Sequence, residues 1–237
     1  MTVAGAPAAK PARMVAASDP LQVASGDDWA SRGAHKLLGA LKATSIDPAG
    51  RVCLDAGAST GGFTDVLLRA GAASVVAVDV GYGQLLWRLR SDERVVVLDR
   101  TNVRHLSPEL LPGPPPDLVV ADLSFISLTA VLPALAAVAE PGADHLLMVK
   151  PQFEAGPERV GKGGVVRDPQ VWREAVGAVV GRAAELGLGL VAAAPSALPG
   201  PAGNVEFFVH LRAGASADAE TVVAAAVHEG RALAGRG

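Results

Sequence analysis

Short apolar runs, each closed by a charge or a glycine, alternate along this chain with longer stretches whose apolar positions recur at helical spacing. The first helical pattern covers 30–46, with Leu37, Leu38, Leu41 and Ile46 on or near one face. Ser31 is its expected cap, and Pro48, Ala49 and Gly50 stop it. The apolar run 52–54 then carries Asp55 at its end, Gly57, Gly61 and Gly62 follow, and a helix is predicted over 61–70, closed by Gly71. Further strands are predicted over 74–79, 94–98, 117–121, 143–149, 188–194 and 204–211. Helices are predicted over 84–91, 127–139, 168–186 and 217–234, with Asp168-Pro169 as the start signal of the third. Such alternation implies an α/β fold, a doubly wound, Rossmann-like and mostly parallel sheet. The last two strands lack an intervening helix, so one antiparallel strand is expected at or near the edge. Residues 1–28 are unlike the rest: Val3, Gly5, Pro7, Lys10, Val15, Asp19 and the run 21–23 read as two short strands joined by turns, too short to bury a core. The chain thus divides into 1–28 and a main domain over 29–237.

Composition narrows the classes. The 237 residues, half of them hydrophobic, suit one medium domain with a large core, or one domain and a small appendage. The formal net charge of -3 means that any contact with nucleic acid must use a local basic patch. One cysteine, Cys53, falls inside the first strand pattern, where it reads as a small core residue. No apolar run is long enough to span a bilayer, and the N-terminal stretch lacks the apolar middle of a secretory signal, so a cytoplasmic location without stable membrane association is expected. His105, His145, His210 and His228 show no metal-ligand spacing, and no metal site is expected. The sequence leaves the oligomeric state open.

The chemistry collects at strand ends. Ligands of open α/β sheets bind beyond the carboxyl ends of the strands, and Asp55, Asp79, Asp99, Asp122 and Lys150 fall at five such ends. Ordinary ion pairing accounts for one or two of them. A lysine directly after the run 146–149 is harder to dismiss, because a partly buried ammonium is costly without a partner. The glycine turn lacks both the dinucleotide pattern G-x-G-x-x-G and the Lys-Ser/Thr ending of a phosphate loop. It is also compatible with an ordinary β-α turn. It resembles the first motif of methyltransferases that use S-adenosylmethionine, with Asp79 placed as a ribose acceptor roughly 20 residues beyond it.

Seven stretches make the resemblance specific: SRGAHKL (31–37), DAGASTGGF (55–63), VDVGYGQL (78–85), DRTN (99–102), ADLSFISL (121–128), VKPQFE (149–154) and GNVEFF (203–208). In this order they resemble the TlyA family, FtsJ-like ribosomal-RNA 2′-O-ribose methyltransferases of which some carry the name hemolysin. The resemblance implies a Lys-Asp-Lys-Glu tetrad at Lys36, Asp122, Lys150 and Glu206. A ribose 2′-hydroxyl must lose its proton as it attacks a sulfonium methyl in line, and an amine takes that proton only when it is neutral. A second ammonium, the sulfonium and partial burial favour a neutral Lys150, while Asp122 and Glu206 oppose it. Lys150 is therefore the expected base, with Lys36 and Glu206 positioning the hydroxyl and Asp122 holding Lys150 and the cofactor's methionine end.

For S-adenosylmethionine the resemblance implies Gly57, Ser59, Gly61 and Gly62 along the methionine part, Asp79 on the ribose and Asp99 on the adenine amino group. Asp122 and Phe63 are placed beside it, and Asp55 either contacts the cofactor or holds the loop in shape. The stretch 152–167, with Arg159, Lys162, Arg167 and four glycines, reads as a mobile lid over the RNA phosphates or as a plain surface loop. Arg32, His35 and Lys42 extend that basic rim. Ribosomal RNA within ribosomal subunits is the implied partner, and residues 1–28 resemble the last strands of the family's RNA-binding module; composition alone reads them as a flexible leader. Two alternatives stand beside this reading: methyl transfer to a small hydroxylated molecule, and a non-catalytic ribosome- or membrane-acting protein.

Overall fold

A computed structural model of the chain describes residues 2–3, 6–7, 14–16, 18–22 and 28–234. Three two-residue strands, β1 (Thr2–Val3), β2 (Ala6–Pro7) and β3 (Leu21–Gln22), form a small antiparallel sheet of order β2-β1-β3. The sequence pattern anticipates two strands here. The expected positions Gly5, Lys10 and Val23 lie outside the described residues.

The main domain begins with α1 (Gly33–Thr44), β4 (Val52–Ala56), α2 (Gly62–Arg69), β5 (Ser74–Val78), α3 (Trp87–Arg90) and β6 (Val95–Leu98). It continues with β7 (Leu118–Ala121), α4 (Leu128–Val138), β8 (Asp144–Val149), the single turn α5 (Pro151–Glu154), α6 (Pro169–Glu185), β9 (Leu188–Pro195), β10 (Phe207–Ala213) and α7 (Ala219–Ala234). The large sheet has seven strands in the order β6-β5-β4-β7-β8-β10-β9. Parallel pairing runs from β6 to β8, and β10 lies antiparallel between β8 and β9, one strand in from the edge. The chain winds outward in both directions from β4 and β7, so their carboxyl ends flank a topological switch point.

Helices cover both faces. One face packs Cys53, Val75, Val120 and Met148 against α1, α2 and α3; the other packs Leu54, Val119, Leu147 and Val209 against α4, α6 and α7. Phe207 and Phe208 consequently both reach a core, one on each side of the sheet, where Phe207 meets Trp172 and Phe208 stacks on Phe63. A strand buried on both faces reads as a continuous apolar run, so alternation gives no sign of a solvent face here.

Three local expectations are corrected. The helix expected over 84–91 shrinks to the four residues of α3, because the backbone before it is already committed. Gly81 donates its N–H to Asp79 and accepts from Arg100, and the Leu86 N–H goes to Thr60. Arg32, not Ser31, precedes the first turn of α1; Ser31 Oγ accepts the Gly33 N–H and wedges the start of α1 against Gly62. The third concerns 152–167, which is no featureless loop. It holds α5 and a 3-10 turn (Pro157–Arg159), and Val165 and Val166 are buried. Asn204, itself buried, accepts the Val166 N–H at 2.9 Å and donates to the Gly164 carbonyl at 2.8 Å. The Trp172 indole donates to the Val166 carbonyl.

Candidate active site

Two adjoining clefts open at the switch point, of about 250 and 510 Å³, and they share Gly57, Ser59 and Asp122. The glycine turn forms their floor. Gly57 and Ala58 donate their N–H groups to the Val78 carbonyl, which folds the loop back over the neighbouring strand. At Gly57, with φ 88°, a Cβ would stand 2.6 Å from the Asp122 carbonyl oxygen, so only a glycine lets the ends of β4 and β7 approach this closely. Asp79 ties the loop to the end of β5, accepting the Ser59 N–H at 2.8 Å and the Gly81 N–H at 2.7 Å.

Asp55 stands behind this floor. It is fully buried, accepts the Thr64 hydroxyl at 2.7 Å, and leaves its Oδ1 without a hydrogen-bond partner among the described residues. Burial pushes its carboxyl up to about 7, against the pull of the Thr64 hydrogen bonds. Of the two roles the sequence leaves to Asp55, this position matches holding the loop in shape.

Four charges meet in two pairs beside the smaller cleft. Lys36 Nζ of α1 lies 2.6 Å from Glu206 Oε2, both groups buried. Lys150 Nζ, directly after β8, lies 2.6 Å from Asp122 Oδ1 and donates to Ser124 Oγ at 3.0 Å. The β8–β10 register joins the pairs: Val149 faces Phe207, so Lys150 and Glu206 are the next residues on adjacent antiparallel strands. Lys36 and Asp122 line the smaller cleft with Ser31, Gly33 and Phe63.

The remaining expectations divide. Gly57, Ser59 and Asp79 line the larger cleft, with Val80 beside them, and Gly62 lines the smaller one with Phe63. Gly61, at φ 100°, faces the core instead, where a Cβ would meet Leu89 at 2.3 Å. Arg90 holds the Asp99 carboxylate at 2.9 Å and keeps it below the usual carboxylate range, and Thr101, Asn102 and Val103 line the larger cleft. The bend after β6 carries these residues inward, and no pattern in the sequence separates them from Asp99. Of the basic rim, Arg32 lines the smaller cleft, Lys162 and Arg167 are exposed, and Arg159 pairs with Glu174 of α6. Tyr82 is exposed under the Arg100 guanidinium, away from both clefts. Sequence reasoning assigns no role to Ser124 or to the turn at Leu198, Pro199 and Pro201, which walls the smaller cleft. The position of Ser124 inside the ADLSFISL stretch is the one signal that would have found it.

Residues 29–213 match the FtsJ-like methyltransferase family. The chain is 60% identical over 210 residues to the 16S/23S rRNA (cytidine-2′-O)-methyltransferase TlyA of Mycobacterium tuberculosis, covering 88% of this chain and 78% of that protein. It is 35% identical over 193 residues to Hemolysin A of Brachyspira hyodysenteriae, covering 81% of this chain and 80% of that one. The solved structure of a hemolysin-named protein from Lactococcus lactis superposes with a TM-score of 0.80 at 41% identity, covering 86% of this chain and 99% of that chain.

Proposed function

The chain belongs to the FtsJ-like methyltransferase family, and from that premise we propose that it transfers the methyl group of S-adenosylmethionine to a ribose 2′-hydroxyl of ribosomal RNA, with Lys150 as general base. The observation that carries this reading is two ion pairs beside one cleft, the buried Lys36–Glu206 and the partly buried Lys150–Asp122, joined through the neighbouring positions of Lys150 and Glu206 on adjacent strands.

The residues present fit the cofactor. The larger cleft joins polar groups, Asp79 and Asn102, to apolar walls from Val80, Val103 and Ile126, as a ribose and an adenine require. Gly57 brings bare backbone to the shared edge of the two clefts, and Asp122 stands there to receive the methionine amine. S-adenosylmethionine, when bound, supplies an electrophilic methyl group that needs no further activation.

The chain's own residues align the hydroxyl and take its proton. Lys36, fixed by Glu206, donates to the ribose oxygen and orients it. Lys150, in its neutral form, would take the hydroxyl proton as the methyl group passed from the sulfonium sulfur to the ribose oxygen, and Asp122 and Ser124 aim the amine by contacting it on one side. Arg32, Lys162 and Arg167 supply the local basic rim that an acidic chain needs to hold phosphates. We read residues 1–28 as a separate unit, part of an RNA-binding module; the small sheet β2-β1-β3 supports that division.

Incubation with labelled S-adenosylmethionine and unmodified ribosomal subunits, beside Lys150→Ala, tests the proposal. The expected result is alkali-resistant label in RNA, reduced at least about 100-fold in the variant. Label in protein or small molecules with none in RNA overturns the substrate assignment. An active Lys150→Ala overturns the base.

A further inference from the structure

The segment carrying Asp122 and Ser124 is strained. Phe125 follows them at φ 63°, a left-handed conformation that an aromatic residue seldom adopts, and its ring is almost entirely exposed. Such a conformation persists only where the surrounding structure holds it. The hold on its far side comes from Glu154, the last residue of α5. Its Oε2 accepts the Ser127 hydroxyl at 2.5 Å, and its Oε1 accepts the Leu128 N–H at 2.7 Å. The Phe153 ring also meets Phe125, centroid to centroid at 5.3 Å.

α5 begins directly after Lys150, and its single turn places Glu154 four residues beyond that lysine. Two connections therefore close a ring of chain. At the reactive end, Lys150 Nζ contacts Asp122 and Ser124. At the other end, Glu154 grips Ser127 and the first amide of α4, where Ser127 is the cap. We infer that Glu154 is a positioning residue, a carboxylate brace that holds the strained 122–128 segment against α5 and thereby fixes where the Lys150 amine points. The inference deepens the proposed function and rests on its reading of Lys150 as the base. Burial raises the Glu154 carboxyl above the usual carboxylate range, against the pull of these hydrogen bonds.

The geometry predicts a split in kinetics. Glu154→Ala on the full chain is expected to lower kcat about tenfold or more, with KM for ribosomal subunits and affinity for S-adenosylmethionine within about twofold of the wild type. Glu154→Gln keeps an acceptor for the Leu128 N–H and is expected to recover kcat to within about threefold of the wild type. A brace that serves folding alone would lower cofactor affinity and kcat together. That outcome, an unchanged kcat in Glu154→Ala, or a failure of Glu154→Gln to recover the rate overturns the inference. Should Glu154→Ala not fold, Ser127→Ala removes one of the two grips and is read by the same split. The wild type and Lys150→Ala serve as controls: a wild type without RNA methylation defeats the proposed function, and a fully active Lys150→Ala defeats the base assignment, whatever Glu154 does.

Discussion

Glu206 shows how sharply one buried charge depends on its partner. It is 1% exposed and its carboxylate meets the Lys36 ammonium at 2.6 Å, so Glu206→Ala leaves a largely buried ammonium at the cleft wall without its partner. The expected loss is about 3–5 kcal/mol of folding free energy, measurable by urea denaturation, with Glu206→Gln losing less. Asp55 gives the opposite case, a carboxylate that burial drives toward the neutral form. Its native value of about 7 exceeds the ordinary 3.8, so the folded state binds this proton more tightly than the unfolded chain does. Its contribution to stability is full below the ordinary value and is lost as pH rises through about 7. Relative to Asp55→Asn, the wild type should lose on the order of a few kcal/mol between pH 4 and 8, read from denaturant midpoints across that range. A flat difference would place the proton elsewhere.

At the scale of elements, the edge that carries the proposed site is assembled from strand ends and held by side chains that bridge loops. Asn204 is the clearest such bridge, pinning Gly164 and Val166 two residues before Glu206. Asn204→Ala leaves a buried N–H unpaired and should cost about 1–3 kcal/mol. Amide exchange should accelerate over 161–167 while β4 and β7 stay protected, and uniform acceleration would count against a local clamp. Gly57 is the complementary case, since both its φ of 88° and its contact with Asp122 fix its identity. Gly57→Ala drives a methyl group into the Asp122 carbonyl and should abolish S-adenosylmethionine binding, as measured calorimetrically, while the helices persist by circular dichroism.

For the whole molecule, the charge balance bears on the proposed RNA substrate. A net charge of -3 gives no general attraction, so on the proposed function affinity would rest on the local cations Arg32, Lys162 and Arg167. Three phosphate contacts to single-stranded RNA imply a slope of about -2 for log K against log salt. Reversing all three to Glu should flatten that slope in filter-binding assays without altering cofactor affinity. No helix among the described residues is long and apolar enough to cross a membrane.

The sequence by itself determined the order of elements, the doubly wound sheet and the antiparallel strand near its edge. Strand and helix periods, and a missing helix before β10, are local features that every residue in a segment reports together. It also placed four aspartates and Lys150 at strand ends, because a charge closing an apolar run is visible without coordinates. Only the tertiary structure decided which charges face one another. It paired Lys36 with Glu206, 170 positions away, turned Asp99 toward Arg90, and sent Asp55 behind the loop while Thr101 and Asn102 came forward. Those choices depend on distances between segments remote in sequence and on the direction each side chain takes as its strand ends, and neither quantity exists until the chain has packed.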